Sequence, residues 1–184
     1  MITIPTALPG CVELVPPVHR DARGRLVKPF ESTALARHGL DGMVAEMFYT
    51  SSVRGVVRGL HFQCPPHGCA KVVTCVVGEV FDAVVDLRVD SPFYGRHQVV
   101  HLSGEIGNAL AVPEGVAHGF QALTDGALVV YLQSRPFDAS CDRGIHFESA
   151  GIPWPLAVTT VSERDRRHPP LSAFASPFRL RKSD

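Results

Sequence analysis

The stretch Gly107-Asn108-Ala109-Leu110-Ala111-Val112-Pro113-Glu114-Gly115-Val116-Ala117-His118-Gly119-Phe120 decides the fold. Two short apolar runs flank Pro113-Glu114-Gly115, and proline and glycine in such a position are typical of a turn. The glycines and the proline therefore predict a strand, a sharp turn and a returning strand. This arrangement aims His118 into the mouth of a small barrel.

Apolar, β-branched runs separated by Gly, Pro, Asn or Asp dominate the middle of the chain. Such runs are typical of a β-sandwich or a β-barrel. Strands do not alternate with long helices, so a parallel nucleotide-binding sheet is not expected. The predicted strands are Lys71 to Val77, Val80 to Leu87, Gln98 to Leu102, Ala109 to Val112 and Ala127 to Gln133.

Local signals predict one hairpin and one helix. Gly78-Glu79 lies between two predicted strands and has the composition of a tight hairpin turn. The helix candidate runs from Ser32 to His38, with Ser32 as N-cap and Gly39 as the stop. A length of 184 residues suits a single domain over 1–184. We expect an N-terminal arm over about 1–20 and a C-terminal segment over about 135–184 that wraps the core.

The overall composition narrows the class of partner. Eighteen basic and eighteen acidic residues give a formal net charge of zero, so nucleic acid is not an expected partner. The chain lacks a signal-peptide pattern at its start and an apolar run of about 20 residues, so we expect a cytoplasmic protein with no membrane partner. Five cysteines without a Cys-x-x-Cys pair argue against a disulfide framework and a structural zinc site.

A second informative segment is Val56-Val57-Arg58-Gly59-Leu60-His61-Phe62-Gln63, which Lys71 follows at short range. Charged side chains in an apolar strand usually serve a site. Because a strand sends alternate residues to the same face, two sets of side chains are expected on opposite faces. The two sets are Arg58, Leu60 and Phe62 on one face, and Gly59, His61 and Gln63 on the other.

Both segments resemble the two sequence patterns of the cupin fold. The stretch from Gly107 matches the second pattern, Gly-x5-Pro-x-Gly-x2-His, position for position. Gly55-x5-His61 reproduces the opening of the first pattern, but Gln63 stands where its second histidine would be. Two of the usual metal ligands are therefore absent, and no metal is expected. The alternative is a metal-dependent cupin oxygenase or isomerase that uses His61, His67 and His118.

Several motifs in sequence order resemble the dTDP-4-dehydrorhamnose 3,5-epimerase family of cupin-fold nucleotide-sugar epimerases. The resemblance covers roughly residues 15 to 170, and it implies an all-β, cupin-type double-stranded β-helix, or jelly-roll barrel, with a few short helices. The motifs are Asp21-Ala22-Arg23-Gly24, Arg58-Gly59-Leu60-His61-Phe62-Gln63, Lys71, Val85-Asp86-Leu87-Arg88 with Ser91-Pro92-x-x-Gly95, Pro113-x-Gly115-x-Ala117-His118-Gly119-Phe120 and Ser162-Glu163-Arg164-Asp165.

The resemblance implies a cofactor-independent epimerase that inverts C3, C5 or both in a nucleotide-linked 4-keto-6-deoxyhexose. Abstraction of a proton next to a ketone produces an enolate, which requires a base, a group that stabilises the oxyanion and an acid on the opposite face. By resemblance, His61 is the base and Asp165 orients it. Lys71 stabilises the enolate, and Tyr131 returns the proton. Taken singly, Tyr131 would be a core aromatic, Asp165 a solvated loop charge and Lys71 an exposed edge lysine.

The resemblance also implies a set of substrate-binding residues, of which the arginines suit the diphosphate. This chain departs from the family pattern at Leu26, Lys28, Glu46-Met47-Phe48 and Phe137, and Asp142 stands where Glu is usual. These changes leave dTDP-, CDP- and GDP-linked keto sugars open as substrates. The expected substrate-binding residues are Arg23, Glu46, Arg58, Gln63, His118, Phe137, Asp142 and Arg164.

The family is dimeric, so we expect a homodimer in which the N-terminal segment crosses to the partner. The extended, apolar character of Cys11 to Val18 fits this expectation. A further alternative is a non-catalytic sugar-nucleotide binding module that keeps the barrel without turnover. The presence of His61, Tyr131 and Asp165 argues against it, since a binder needs neither an acid nor a base.

Overall fold

The computed structural model describes residues 1–33 and 44–180, and within them the regular secondary structure is almost entirely β-strand. One short α-helix, α1 (Glu163–Arg166), and one turn of 3-10 helix (Leu171–Ala173) follow the last strand. The all-β prediction is confirmed. The strands are β1 (Ile2–Pro5), β2 (Val12–Val15), β3 (Val18–Asp21), β4 (Gly24–Val27), β5 (Glu46–Ser52), β6 (Val57–Gln63), β7 (Lys71–Val77), β8 (Glu79–Asp86), β9 (His97–Ser103), β10 (Ala109–Val112), β11 (Val116–Ala122), β12 (Ala127–Gln133) and β13 (Asp142–Gly144).

Two antiparallel sheets form the jelly roll. One has six strands in the order β1-β2-β10-β7-β12-β5, and the other has five in the order β13-β6-β11-β8-β9. A separate hairpin, β3-β4, carries residues 18–27. Consecutive strands repeatedly change sheets, as β10 and β11 do across the turn at Gly115. At this glycine φ is +83° and an added Cβ would lie 2.7 Å from Arg88 Cγ, so a side chain would be strained there.

The space between the two sheets is filled by apolar side chains from both. Its central residues are buried, and Tyr131 lies at the edge of this cluster next to the polar end of the barrel. Alternation along the strands explains the arrangement, since every second residue of a two-sheet fold faces the core. Members from the two sheets include Val73, Val84, Leu110, Val112, Phe120 and Val129.

The C-terminal residues pack on the outer face of the five-stranded sheet. Ile145, Ile152 and Phe178 are buried there against Leu60 and Phe62. This second apolar cluster explains why both faces of β6 are largely buried. It also positions the segment that carries α1 beside β6, which brings Asp165 close to His61 although 104 residues separate them in sequence.

The motif at the end of β8 contains a buried ion pair between Asp86 and Arg88. Asp86 accepts hydrogen bonds from the backbone N–H, Nε and Nη2 of Arg88 and from the Ser91 hydroxyl, at 2.7 to 2.9 Å. The side chains of Asp86 and Arg88 are 0% and 1% exposed. Arg88 Nη2 also donates to the Pro9 carbonyl at 2.8 Å, which ties the N-terminal loop to this corner. The motif is therefore structural.

One sequence prediction differs from the structure. Gly78-Glu79 does not close a hairpin, because β7 pairs with β10 and β12 whereas β8 pairs with β9 and β11. The turn instead carries the chain from one sheet to the other, which a composition signal cannot distinguish from a hairpin. The predicted helix from Ser32 to His38 falls, after its first two residues, outside the described residues.

No helix in residues 1–33 and 44–180 is long and apolar enough to cross a membrane.

Candidate active site

A cavity of about 630 Å³ opens at one end of the barrel, between the two sheets. Its volume is in the range of small-molecule sites. All the residues predicted for the site line it, except Arg23. The lining residues are Glu46, Phe48, Thr50, Val56, Val57, Arg58, His61, Phe62, Gln63, Cys69, Lys71, His118, Tyr131, Gln133, Phe137, Asp142, Thr160, Ser162, Arg164 and Asp165.

An irregularity in β6 brings both Arg58 and His61 to the cavity. His118 lies opposite His61 and Phe120 lies opposite Arg58, so two steps along β11 match three steps along β6. The extra residue is a bulge, and it reverses the alternation of side chains on its N-terminal side. The prediction that Arg58 shares a face with Leu60 and Phe62 is therefore wrong, whereas His61 and Gln63 share the cavity face as expected.

Gly59 makes this bulge possible. Its φ is +131°, and an added Cβ would lie 2.6 Å from the Cα atom of Gly119 on the neighbouring strand. Two glycines facing each other let β6 and β11 approach more closely than side chains would permit. The backbone N–H of Gly59 is consequently free to turn toward α1, where it donates to Asp165 Oδ2 at 3.1 Å.

His61 and Asp165 form a dyad. The His61 Nε2 atom lies 2.7 Å from Asp165 Oδ1, the His61 side chain is 28% exposed and the Asp165 side chain is 4% exposed. The carboxylate holds Nε2, so the other ring nitrogen, Nδ1, is the one left to accept a proton. A histidine with one nitrogen fixed in this way is oriented as a general base.

Several donors hold the Asp165 carboxylate in its charged form. Burial by itself would raise the pKa of Asp165, but the hydrogen bond and charge of His61, with the Gly59 N–H and Ser162, keep this pKa well below its usual range. Ser162 is the N-cap of α1 and its hydroxyl accepts the Asp165 N–H at 3.0 Å. The cap fixes the backbone of α1, and therefore the direction of the carboxylate.

Tyr131 and Lys71 reach the cavity from the opposite sheet. Tyr131 is on β12 and Lys71 begins β7, whereas His61 is on β6 of the five-stranded sheet. Burial, then the charge of Asp82, raises the pKa of the Tyr131 phenol, so it stays protonated at neutral pH. Burial lowers the pKa of Lys71. The Lys71 ammonium lies 3.5 Å from the His61 carbonyl oxygen.

Two rings contact Tyr131. Phe48 stacks on it with centroids 4.5 Å apart and planes 10° from parallel. The His118 ring meets it edge to face at 5.9 Å. Contacts on two sides restrict the rotation of the tyrosine side chain, so its hydroxyl has a defined position at the cavity wall.

His118 is the centre of a second, fully buried histidine-carboxylate pair. Its Nε2 atom lies 2.8 Å from Asp82 Oδ2, and the two side chains are 3% and 0% exposed. Burial raises the pKa of Asp82, while the neighbouring His118 and Lys71 act to lower it. This pair lies beside Tyr131, so it contributes to the polarity of the cavity floor.

Two arginines line the cavity with their guanidinium groups held. Arg58 Nε donates to Ser52 Oγ at 3.0 Å and its Nη2 donates to the Ser51 carbonyl at 3.2 Å. Arg164 Nη1 donates to Asp142 Oδ2 at 2.6 Å and is about half exposed. Guanidinium groups held at a cavity wall are suited to bind phosphate oxygens.

Gln63, Glu46 and Phe137 form the rim. The Gln63 amide accepts the Asp138 N–H at 2.6 Å and donates to the His67 carbonyl at 3.0 Å. The Glu46 carboxylate accepts the Phe137 N–H at 2.6 Å. The Glu46 contact holds the backbone of Phe137, and the Gln63 contact holds that of the next residue, Asp138. The Phe137 ring is exposed at the cavity mouth.

Arg23 is the predicted site residue that the structure does not bring to the cavity. It lies on the β3-β4 hairpin, its side chain is 89% exposed, and it pairs with Asp21 Oδ2 at 2.6 Å. The motif that contains it is therefore a turn with an internal ion pair in the single chain. Its expected role in substrate binding is not supported by the position of this side chain within one chain.

The histidines of the metal alternative do not form a ligand group. Within residues 1–33 and 44–180, the sets of donor atoms close enough to share an ion are His61, Asp165 and His168, and separately His67, Asp138 and Cys141. His67 lies at the rim beside Asp138, 3.4 Å away, and His118 is occupied by Asp82. The predicted trio of His61, His67 and His118 is therefore not an available site.

Sequence reasoning missed several functional neighbours. Asp82 contacts His118, and Phe48 contacts Tyr131. His168 lies 3.7 Å from Asp165 Oδ1, and its ring is steeply inclined to that of His61. A charged residue within the apolar strand Val80 to Leu87 was a usable signal for Asp82, as it was for Lys71 in its own strand. The contacts of Phe48 and His168 depend on strand register and on the path of the C-terminal segment.

The family model described as dTDP-4-dehydrorhamnose 3,5-epimerase matches residues 5–173 of the chain. A dTDP-4-dehydrorhamnose 3,5-epimerase of Methanothermobacter thermautotrophicus is 39% identical over 174 residues, which cover 91% of this chain and 93% of that protein.

Solved structures agree with this match. NovW, a 4-keto-6-deoxy sugar epimerase from the novobiocin biosynthetic gene cluster of Streptomyces spheroides, superposes with a TM-score of 0.90 and 38% identity, covering 94% of this chain and 88% of that one. ChmJ, a 3'-monoepimerase from Streptomyces bikiniensis solved in complex with dTDP-quinovose, has a TM-score of 0.86 and 32% identity, with coverages of 92% and 87%. The predicted fold class is confirmed.

Proposed function

Because this chain belongs to the dTDP-4-dehydrorhamnose 3,5-epimerase family, we propose that it epimerises a nucleotide-linked 4-keto-6-deoxyhexose at C3, C5 or both. The observation that carries the proposal is the geometry of the cavity. An oriented histidine base enters it from one sheet, and a protonated phenol and an ammonium enter it from the facing sheet. Inversion of a carbon next to a ketone needs such an arrangement.

In the proposed reaction His61 Nδ1 takes the proton from the carbon next to the ketone. The Asp165 carboxylate stabilises the imidazolium that forms, since it lies 2.7 Å from Nε2 and is itself held by the Gly59 N–H. The electron pair moves onto the ketone oxygen, where the Lys71 ammonium stabilises the enolate. Burial lowers the pKa of Lys71, and a developing negative charge next to it would favour the ammonium form.

Tyr131 then delivers a proton to the same carbon from the opposite face of the ring. A raised pKa keeps the phenol protonated until the enolate, a much stronger base than water, is present. Phe48 and His118 pack against its ring, so the hydroxyl is held in place for transfer. No redox step occurs, because one proton leaves and one returns.

For the nucleotide part of the substrate, Arg58 and Arg164 are suited to bind the diphosphate. The exposed Phe137 ring is suited to stack on the nucleobase. His118 and Gln63 line the sugar side of the cavity, whereas Glu46 and Asp142 place carboxylates along it. ChmJ, a relative at 32% identity, was solved with a dTDP-linked sugar, which supports dTDP as the first nucleotide to test. CDP- and GDP-linked keto sugars are the comparison.

A homodimer accords with the exposed apolar residues on β5. This strand is at the edge of the six-stranded sheet, and Met47 and Tyr49 on it are 61% and 66% exposed. Apolar side chains on an unpaired edge favour burial against another chain. In such a dimer the β3-β4 hairpin of one protomer would bring Arg23 to the cavity of its partner.

The experiment for the function is incubation of the full chain in D₂O with dTDP-, CDP- and GDP-linked 4-keto-6-deoxyglucose, followed by proton NMR. We expect loss of the C3 or C5 proton signal with one of them, and no loss with His61→Asn. The absence of exchange with all three substrates would refute the proposal.

The dimer has a separate test by complementation. His61→Asn and Arg23→Ala chains, each inactive alone, should recover activity when mixed if Arg23 acts across the interface. If activity is not recovered after subunit exchange has been verified, the proposal that Arg23 acts in the partner's cavity is refuted.

A further inference from the structure

We propose that His67, Asp138 and Cys141 form a binding site for a zinc-class divalent cation at the rim of the cavity. A ring nitrogen of His67, a carboxylate oxygen of Asp138 and the Sγ atom of Cys141 all lie within 4.8 Å of one another. The site lies outside the dyad of His61 and Asp165, and it goes beyond the proposed epimerase activity. Its occupant would be Zn²⁺ or a similar borderline-soft ion, because imidazole, carboxylate and thiolate are the donors that such ions prefer.

The distances distinguish this group from the one in the active site. Two ligands each about 2.1 Å from a tetrahedral ion are about 3.4 Å apart. The separation of His67 Nε2 and Asp138 Oδ2 is 3.4 Å, which is long for a hydrogen bond and right for two ligands of one ion. His61 Nε2 and Asp165 Oδ1 are only 2.7 Å apart, which is a hydrogen bond and leaves no room for an ion.

The local fold prepares two of the donors. Asp138 Oδ1 accepts from the N–H of Ser140 at 2.8 Å and from its hydroxyl at 2.5 Å, which leaves Oδ2 to face His67. The Cys141 N–H donates to the Asp138 carbonyl at 3.1 Å, and this turn puts both side chains on the same side.

The three ligands come from two loops that already contact each other at Gln63. His67 lies between β6 and β7, and Asp138 and Cys141 lie between β12 and β13. Gln63 bonds to the His67 carbonyl and to the Asp138 N–H. A bound ion would join the same two loops through their side chains. It would therefore stabilise the rim segment that carries Phe137, next to Asp138.

Cobalt titration of the chelator-treated full chain tests the site, because Co²⁺ reports thiolate ligation by a charge-transfer absorbance and needs no enzyme activity. We expect this band to saturate at one Co²⁺ per chain and to be displaced by Zn²⁺. Cys141→Ser should remove the band. His67→Asn, on an exposed loop where folding is not at risk, should weaken binding at least about tenfold.

Two matched variants serve as controls. His101 is 47% exposed and lies 3.3 Å from Glu79, so His101→Asn removes an imidazole-carboxylate pair like that of His67 but without a thiol. His168→Asn removes one of the three possible metal ligands in the other set, which consists of His61, Asp165 and His168 in the active site. Both should bind Co²⁺ as the unmodified chain does. The proposal is overturned if the unmodified chain shows no band, if Cys141→Ser or His67→Asn binds normally, or if His168→Asn loses the band.

Discussion

Replacing Asp165 by Asn tests the proposed base most severely, because the structure dictates which way the new amide must point. Asp165 Oδ2 accepts the buried Gly59 N–H at 3.1 Å, so the Asn oxygen has to occupy that place. Its NH₂ group then faces His61 Nε2, where Oδ1 stood at 2.7 Å. An NH₂ donor forces Nε2 to accept, and the ring proton moves to Nδ1. The proposed base atom would then already carry a proton.

The size of the effect has two parts. A hydrogen bond to a charged group contributes about 1.5–3 kcal/mol, so loss of the carboxylate alone lowers the rate about 10- to 150-fold. The unfavourable tautomer adds to this loss. A decrease in kcat of about 10³- to 10⁴-fold is expected, as for the same exchange in a serine-protease triad. The proton signal of the substrate in D₂O measures the rate directly.

A matched control lies on the same short helix. Glu163 is exposed and pairs with Arg167, outside the cavity, so Glu163→Gln should keep the wild-type rate. Affinity for dTDP, measured by calorimetry, should be close to normal in Asp165→Asn, since in the proposed reaction the dyad acts on the sugar and the arginines bind the phosphates. If Asp165→Asn exchanges protons within about threefold of the wild-type rate, the argument from the carboxylate is refuted.

Three further predictions concern stabilisation of the enolate, the buried ion pair of the fold and stability at low pH. Lys71→Met should lower kcat about 10²- to 10³-fold, as loss of an oxyanion donor does, and a smaller effect in stopped-flow exchange would exclude Lys71 from that role. Asp86→Asn removes the buried carboxylate charge that faces the Arg88 guanidinium, so urea unfolding should show a loss of about 3–5 kcal/mol, whereas the exposed Glu105→Gln should change little. The pKa of Asp165 is lower in the folded chain than the ordinary value of about 3.9, so the unfolded chain binds more protons below that pH. The stability from Asp165 is therefore complete above about pH 4 and lost as pH falls below it. Asp165→Asn should flatten this part of the pH-stability curve, and an unchanged slope would contradict the assignment.

Much of the fold could be predicted from short-range patterns. The runs Lys71 to Val77, Ala109 to Val112 and Ala127 to Gln133 are strands with the predicted bounds, because alternation and turn residues are local signals. The prediction of a hairpin at Gly78 was wrong because it also relied on local signals alone. A glycine turn looks the same whether the next strand pairs with the previous one or joins the facing sheet, and long-range pairing decides between the two.

For the candidate site, the sequence predicted the identity of the residues better than their orientation and contacts. The resemblance to the family named eleven of the twenty residues that line the cavity. Alternation alone placed Arg58 on the wrong face, since the bulge at Gly59 depends on a close approach to Gly119, about 60 residues away. Phe48 could be recognised as a departure from the family pattern, yet its stacking on Tyr131 follows from the register of β5 against β12. Such contacts between distant strands leave no signal in a single sequence.

The most direct test of the central claim, that a base and an acid act from facing sheets, is the stereochemical fate of deuterium with Tyr131→Phe. The variant keeps the ring that packs on Phe48 and His118 and removes only the hydroxyl. We predict that NMR of the keto sugar recovered from D₂O shows deuterium next to the ketone with the original configuration, because His61 removes and returns the proton on one face. Inverted, deuterated product at a rate near that of the unmodified enzyme would contradict the account.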